Sequence, residues 1–355
     1  MEKHKKRILI VDDSDIDREI LKNILQEDFN VCEAANGYAA IEILVTRNPT
    51  IDMVLLDISM PYMDGFQVLR LMKENKIDDV AVILISAEAT KDNVEKASQF
   101  EVTDFIKKPY DHARILEKVC EVLNVEKSDT VPTSKDISNE ALKATNAYIK
   151  KLSVVYSAYM LNHGKDYDHY LRLRDLMVIV LDEYASKTKN DELDYTRIEL
   201  IAEAAQFHDL GKMTVPDDIL NKAVDGKLDN PDEEEINHNH TVMGANIVWL
   251  NEQPLCRYFV EICGDMCMHH HERHDGTGFP HRLKGTENSI YTRFCRLLSK
   301  FDKLFYRLTE YDSSRFDVIL DELLMDRGSI DPALASTLRS CKSEILGYYK
   351  KLIVE

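Results

Sequence analysis

Two groups of residues in this 355-residue chain have the types and spacing that chemistry requires. In the first, Asp12 and Asp13 follow the apolar run RILIV, Asp57 follows DMVLL, Ser86 closes VAVILIS, and Lys108 stands before Pro109 just after VTDFI. Carboxylates that converge repel one another unless a divalent cation sits among them, and oxygen ligands with open water positions suit Mg²⁺. An Asp held against Mg²⁺ and a Lys can attack phosphorus, because metal and ammonium offset charge on the transferring phosphoryl oxygens.

The second group is rich in histidine. His208 and Asp209 sit together in FHDLGK, His240 in HTVMG, His270 and His271 in HHHERHDGTGFP, His169 in DHYLRLR and Asp302 in SKFDKLF. An adjacent imidazole and carboxylate offer one ligand per metal plus a bridging oxygen, which a two-metal hydrolytic centre needs. His238 competes with His240, but two helical residues at i and i+2 point to nearly opposite faces, so only one can face the site, and the Thr and Gly that follow His240 favour it. His269 and His274 are expected to be bystanders.

The elements that must position these groups differ between the two parts of the chain. Over residues 1–125, short apolar runs (7–11, 31–35, 52–56, 80–86 and 102–106) alternate with helical stretches (15–27, 37–47, 64–74, 90–99 and 111–124). Continuous apolar strands separated by helices predict a doubly wound parallel α/β sheet, whose chemistry collects beyond the carboxyl ends of the strands. EKSDTVPTSKD, residues 126–136, reads as a polar linker. Residues 137–355 read as helix and loop and predict an all-α domain. Its first stretch repeats Ala141, Ala144, Tyr148, Leu152, Val155 and Tyr159 at steps of three and four, which fits either a core helix or a dimerising coiled coil.

ILIVDDS, LLDISMPYMDGF, ILISA and DFIKKPY resemble the receiver domain of response regulators. The resemblance implies that Asp57 is the phospho-acceptor, that Asp12 and Asp13 join Asp57 in holding Mg²⁺, and that Lys108 contacts the phosphoryl group. Ser86 and Phe105 match the switch pair. A sensor histidine kinase is the implied partner, and the implied strand order is 2-1-3-4-5.

From about residue 140 to 350 the motifs resemble the HD-GYP branch of the HD metal-dependent phosphohydrolases, whose implied substrate is cyclic di-GMP. His169, His208, Asp209, His240, His270, His271 and Asp302 are the implied ligands of two divalent ions, Fe or Mn, with Asp209 bridging. Lys212 is the implied catalytic contact to a substrate phosphate oxygen, and Arg315 a second phosphate contact. The pattern departs in three places: Lys165 stands where members with a third metal carry Glu, Phe279 replaces the signature Tyr, and Phe305 replaces a second Asp. Lys165, whose ammonium cannot ligate a third cation, predicts a two-metal centre with the linear dinucleotide as main product. The changed loop at Phe279 leaves open a catalytically weak cyclic-dinucleotide receptor, and a second alternative is an HD hydrolase for another nucleotide, including other cyclic dinucleotides.

Composition narrows the partners. A formal net charge of −18 disfavours duplex DNA, while a small anion can still be bound where metals reverse the local field. The apolar run after the basic N-terminus is too short for a signal peptide or a membrane span, so a cytoplasmic protein is expected. The seven scattered cysteines are expected to be reduced thiols, with Cys263 and Cys267 as buried small hydrophobes.

Overall fold

The computed structural model describes residues 5–26, 28–46, 50–86, 91–100, 102–108, 112–125, 137–163, 166–190, 193–224, 226–250, 255–307, 311–326 and 328–354. The chain divides into two compact units, Met1–Thr130 and Val131–Glu355. The expected linker 126–136 lies outside the described residues, as does Lys165.

The first unit alternates β1 (Arg7–Val11), α1 (Asp15–Leu25), β2 (Asn30–Ala34), α2 (Gly37–Thr46), β3 (Met53–Asp57), α3 (Gly65–Glu74), β4 (Ala81–Ser86), α4 (Lys91–Ala97), β5 (Asp104–Lys107) and α5 (His112–Leu123). The strands form one parallel sheet in the order β2-β1-β3-β4-β5, as expected. Every residue of β3 is buried, which a strand covered by helices on both faces requires. Ser14 caps α1 by accepting from Asp17 N, and Asp64 and Gln67 form a reciprocal capping box that starts α3. Gly65 follows that cap because a Cβ there would lie 2.5 Å from the Asp57 carbonyl oxygen. Only glycine lets α3 begin directly against the end of β3.

The second unit is helical: α6 (Asn139–Asn162), α7 (Asp168–Thr188), α8 (Tyr195–Ala205), α9 (Asp217–Val224), α10 (Pro231–His238), α11 (His240–Trp249), α12 (Arg257–His269), α13 (Ile290–Phe305), α14 (Ser313–Met325), α15 (Pro332–Ser340) and α16 (Lys342–Val354). Among its described residues the only β pairing is the isolated bridge Asp275–Lys284. The buried face of α6 is Thr145, Ile149, Tyr156 and Met160, rotated from the face expected; Val155 is 54% exposed. The rotation has two causes. Thr145 Oγ1 donates to Ala141 O and accepts from Cys256 N, and Tyr156 packs edge-on against Tyr170. Cys263 and Cys267 are fully buried, and all seven cysteines are free thiols.

Two glycines decide how the helices meet at the His-Asp pair. Helix α8 ends at Ala205, so His208 and Asp209 leave it in a turn that runs into a 3-10 segment, Leu210–Thr214. A Cβ on Gly211 would lie 1.9 Å from the His240 carbonyl oxygen, and one on Gly244 would lie 2.9 Å from Gly211 N. Backbone therefore rests on backbone, and this contact seats the start of α11 against the turn. Gly211→Ala should force α11 away, lowering stability by at least about 1–3 kcal/mol. Urea unfolding would record the change, and an unaltered midpoint would show that the contact is not a constraint.

Candidate metal centre and receiver pocket

At the carboxyl edge of the sheet, Lys108 reaches back over the strand ends. Its ammonium lies 2.6 Å from Asp12 Oδ2, 2.8 Å from Asp17 Oδ2 and 2.9 Å from Asp57 Oδ1. Three protons thus meet three carboxylates, and although burial opposes the charge, these bonds hold the Lys108 pKa above its ordinary value. The other Asp57 oxygen accepts from Ser59 N at 2.7 Å. Burial raises the Asp12 carboxyl despite Lys108. Asp13 is exposed, Ser86 is fully buried, and Phe105 is half-buried against the core. Asp17 was not anticipated; it stands one turn into α1, outside the strand-end positions from which the other residues could be read.

In the second unit, Asp209, His240, His270 and His271 bring ligand atoms within 4.8 Å of one another. Backbone carbonyls orient the rings. His208 Nδ1 donates to Ala205 O at 2.8 Å, His270 Nδ1 to Met266 O and Cys267 O at 3.0 Å each, and His240 Nδ1 to Asn237 O. A carbonyl oxygen only accepts, so the proton stays on Nδ1 and the Nε2 lone pair points inward. Burial reinforces this neutral form, pushing the His270 pKa down to about 4 and those of His208 and His271 well below the usual imidazole range.

Asp209 faces those lone pairs. Its Oδ1 is 3.4 Å from His240 Nε2 and 3.2 Å from His270 Nε2, yet it is buried without a hydrogen-bond donor among the described residues. Its Oδ2 lies 3.5 Å from His208 Nε2 and accepts from Lys212 Nζ at 2.7 Å and Tyr170 OH at 3.2 Å. Burial alone would raise this carboxyl, but the Lys212 ammonium and the surrounding imidazoles hold it well below the usual range. A buried carboxylate oxygen among inward lone pairs is an unfavourable arrangement that a cation would relieve. The residues present therefore fit a metal ion.

His169 and Asp302 form a separate cluster. His169 Nδ1 meets Asp302 Oδ2 at 2.6 Å and its Nε2 lies 3.2 Å from Ser299 Oγ. Arg172 grips Asp302 with Nε on Oδ1 at 2.9 Å and Nη2 on Oδ2 at 3.0 Å, and Tyr349 OH donates to Oδ1 at 2.6 Å. The His169 and His208 rings are 6.3 Å apart, so this cluster adjoins the Asp209 group without joining it. Arg172 and Tyr349 were missed in the sequence, because partners so distant along the chain carry no shared period.

The loop after His271 folds back on the ligands. Cβ atoms have no room at Gly278, which lies 2.4 Å from Arg273 N by that measure, and Glu272 accepts from His281 N at 2.6 Å and Leu283 N at 3.0 Å. Phe279 is thereby stacked between His271, with ring centroids 4.6 Å apart, and His238, at 3.8 Å. His269 pairs with Asp265 and His281, away from the Asp209 group.

A cavity of about 600 Å³ opens over this region, walled by Asp166, His169, Arg172, Lys212, His240, His271, Lys303 and Arg307 with Tyr159, Tyr170 and Tyr306. A smaller one of about 150 Å³, lined by His208, Asp209, His270, Arg296, Ser299 and Lys300, shares Lys212, His271 and Lys303 with it. Arg315 is not among these lining residues; it sits in the first turn of α14, 3.8 Å from Asp312.

A metal that binds only the folded site stabilises it by about 2.7 kcal/mol at a hundredfold excess over Kd. Mn²⁺ should therefore raise the unfolding midpoint of the full chain, chelation should reverse the rise, and Asp209→Asn should abolish it. Equal shifts in wild type and Asp209→Asn would place the ion elsewhere.

Comparison with known proteins agrees with this division. The response regulator receiver domain family matches residues 8–120, and the HD domain family matches residues 165–334. A probable cyclic di-GMP phosphodiesterase of Vibrio cholerae is 28% identical over 92% of this chain and 75% of its own length. A cyclic di-GMP phosphodiesterase of Thermotoga maritima is 27% identical, covering 97% and 92% respectively. The cyclic di-GMP phosphodiesterase response regulator RpfG of Xanthomonas campestris is 24% identical, covering 95% and 88%. The chain is a response regulator in which a receiver domain is joined to an HD domain.

Proposed function

We propose that this chain is a phosphorylation-controlled, metal-dependent phosphodiesterase of the HD-GYP type that opens cyclic di-GMP mainly to the linear dinucleotide. The observation that carries the reading is Asp209, whose two oxygens face different histidines: Oδ1 toward His240 and His270, Oδ2 toward His208. With that division Asp209 could serve two divalent ions: His240, His270 and His271 would hold one, and His208, with the adjoining His169 and Asp302 turned toward it, would hold the other. Divalent ions there, Fe or Mn by resemblance, would polarise the phosphodiester and activate water. The names borne by the three relatives support the substrate.

The chain's own residues supply the rest. Lys212 is the cation nearest Asp209, 2.7 Å away, and it lines the cavity from which a substrate would arrive. It would turn from Asp209 to a non-bridging phosphate oxygen as charge develops there. Backbone-bonded Nδ1 atoms keep the imidazoles from rotating, so the ligands need no reorganisation during turnover. Asp302 is held by Arg172 and Tyr349, which orients both it and His169.

In the receiver, Asp57 is the proposed phospho-acceptor for a sensor histidine kinase, with Asp12 and Asp13 holding Mg²⁺ beside it. A phosphoryl group on Asp57 would draw Lys108 from its carboxylates, and buried Ser86 and half-buried Phe105 would follow. The net charge of −18 argues against DNA as a partner, and seven free cysteines favour the reducing cytoplasm. The exposed Val154, Val155 and Leu161 on α6 favour association of two copies.

Anaerobically purified, Mn²⁺- or Fe²⁺-loaded protein should hydrolyse cyclic di-GMP and release the linear dinucleotide; rapid conversion to GMP, or no turnover, would contradict the reading. Asp209→Asn should lose both metal and activity, whereas Lys212→Ala should keep the metal and lose about 10²–10³ in rate. Beryllofluoride should change either the rate or the association state in wild type and leave Asp57→Ala unaffected. An identical response in both proteins would remove Asp57 from control.

A further inference from the structure

The backbone that carries Lys212 is held at that residue and at the one before it. Gly211 rests against the His240 carbonyl and Gly244, where a Cβ would find no room. The Lys212 carbonyl oxygen accepts from the Tyr159 hydroxyl of α6 at 2.9 Å and from Val215 N at 3.2 Å. The side chain therefore leaves from a backbone with little freedom to follow it. Its 2.7 Å contact with Asp209 Oδ2 can open by rotation about side-chain bonds alone.

Tyr159 is itself buttressed. Its ring packs against His163, with centroids 4.2 Å apart, and His163 Nδ1 donates to the Tyr159 carbonyl at 2.7 Å. His163 Nε2 lies 3.1 Å from Asp217 Oδ1, in the first turn of α9, so the end of α6 is tied down beyond the ring. One turn earlier on α6, Tyr156 is fully buried and packs edge-on against Tyr170, 5.3 Å away, whose hydroxyl donates to Asp209 Oδ2. One helix thus bears on both members of the Lys212–Asp209 pair. When Lys212 departs, the Tyr170 bond leaves Asp209 Oδ2 with a donor, which avoids the cost of an unsatisfied buried acceptor.

We infer that Tyr159 is a positioning residue for hydrolysis: its hydroxyl anchors the backbone of Lys212, so the ammonium passes from Asp209 to a phosphate oxygen without the turn shifting beneath it. The inference rests on the phosphodiesterase reading, in which Lys212 serves the phosphate, and makes that reading depend on a bond from α6. Tyr159 also lines the 600 Å³ cavity, so its action through Lys212 must be separated from a direct contact to substrate.

A double-mutant cycle on the Mn²⁺-loaded full chain makes that separation, with cyclic di-GMP as substrate. Tyr159→Phe keeps the ring against His163 and removes only the hydroxyl. It should lower kcat about five- to tenfold, near the worth of one hydrogen bond, with KM and bound Mn²⁺ within about twofold of wild type. In a Lys212→Ala chain the same substitution should change kcat by less than about twofold, because the side chain it anchors is gone. A role confined to stability would lower the urea midpoint and leave kcat alone, and a direct contact to substrate would give equal losses in both backgrounds. Either result, or loss of metal from Tyr159→Phe, would overturn the inference and leave the phosphodiesterase reading intact. A wild-type chain that holds Mn²⁺ yet neither binds nor cuts cyclic di-GMP would overturn both.

Discussion

Everything in the helical unit is arranged around a carboxylate that has been taken out of water. Asp209 is 1% exposed, and the atoms facing its Oδ1 are imidazole nitrogens whose protons have been claimed on the far side of each ring by backbone carbonyls. Burying a charge in this way is strongly unfavourable unless a partner of opposite sign is present. Lys212 supplies part of that compensation, and a cation among the histidines would supply the remainder. The turn after α8 delivers His208 and Asp209, the start of α11 delivers His240 and the end of α12 delivers His270 and His271, with the Gly211–Gly244 contact bringing α11 close.

Oriented side chains recur one layer out. Asp302 is gripped by Arg172, Tyr349 and His169, and Glu272 ties down the loop carrying Gly278 and Phe279 through two backbone N–H groups. These bonds act on groups that are themselves close to the site, so they control direction more than charge. Phe279 shows the consequence. With no hydroxyl to satisfy, its ring packs flat between His238 and His271 and covers one face of each imidazole.

Much of this was legible in the residues because local periodicity determines where strand ends and helix turns fall. Asp12, Asp57, Ser86 and Lys108 could be placed because each follows an apolar run that must be a buried strand, and the sheet then gathers them. His240 could be preferred over His238 from its HTVMG context, and the structure separates the two, His238 ending α10 and His240 starting α11. Contacts without a period were not legible. Arg172 and Asp302 are 130 positions apart, and Tyr349 lies 47 beyond Asp302. The face of α6 was misjudged by one position, since Thr145 looks polar until its hydroxyl is seen joining Ala141 and Cys256. Arg315 was chosen from a loosely spaced motif, and the basic side chains that line the cavity are Arg172, Lys212, Lys303 and Arg307.

The central claim is that Asp209 joins two metal positions through its separate oxygens. Electron paramagnetic resonance of chain reconstituted anaerobically with Mn²⁺ tests this directly, because ions sharing a bridging ligand are magnetically coupled and isolated ions are not. At saturation the wild-type chain should give the spectrum of an exchange-coupled pair, and Asp209→Asn should give none of it. A wild-type spectrum of isolated Mn²⁺ alone, at any loading, would contradict the bridge.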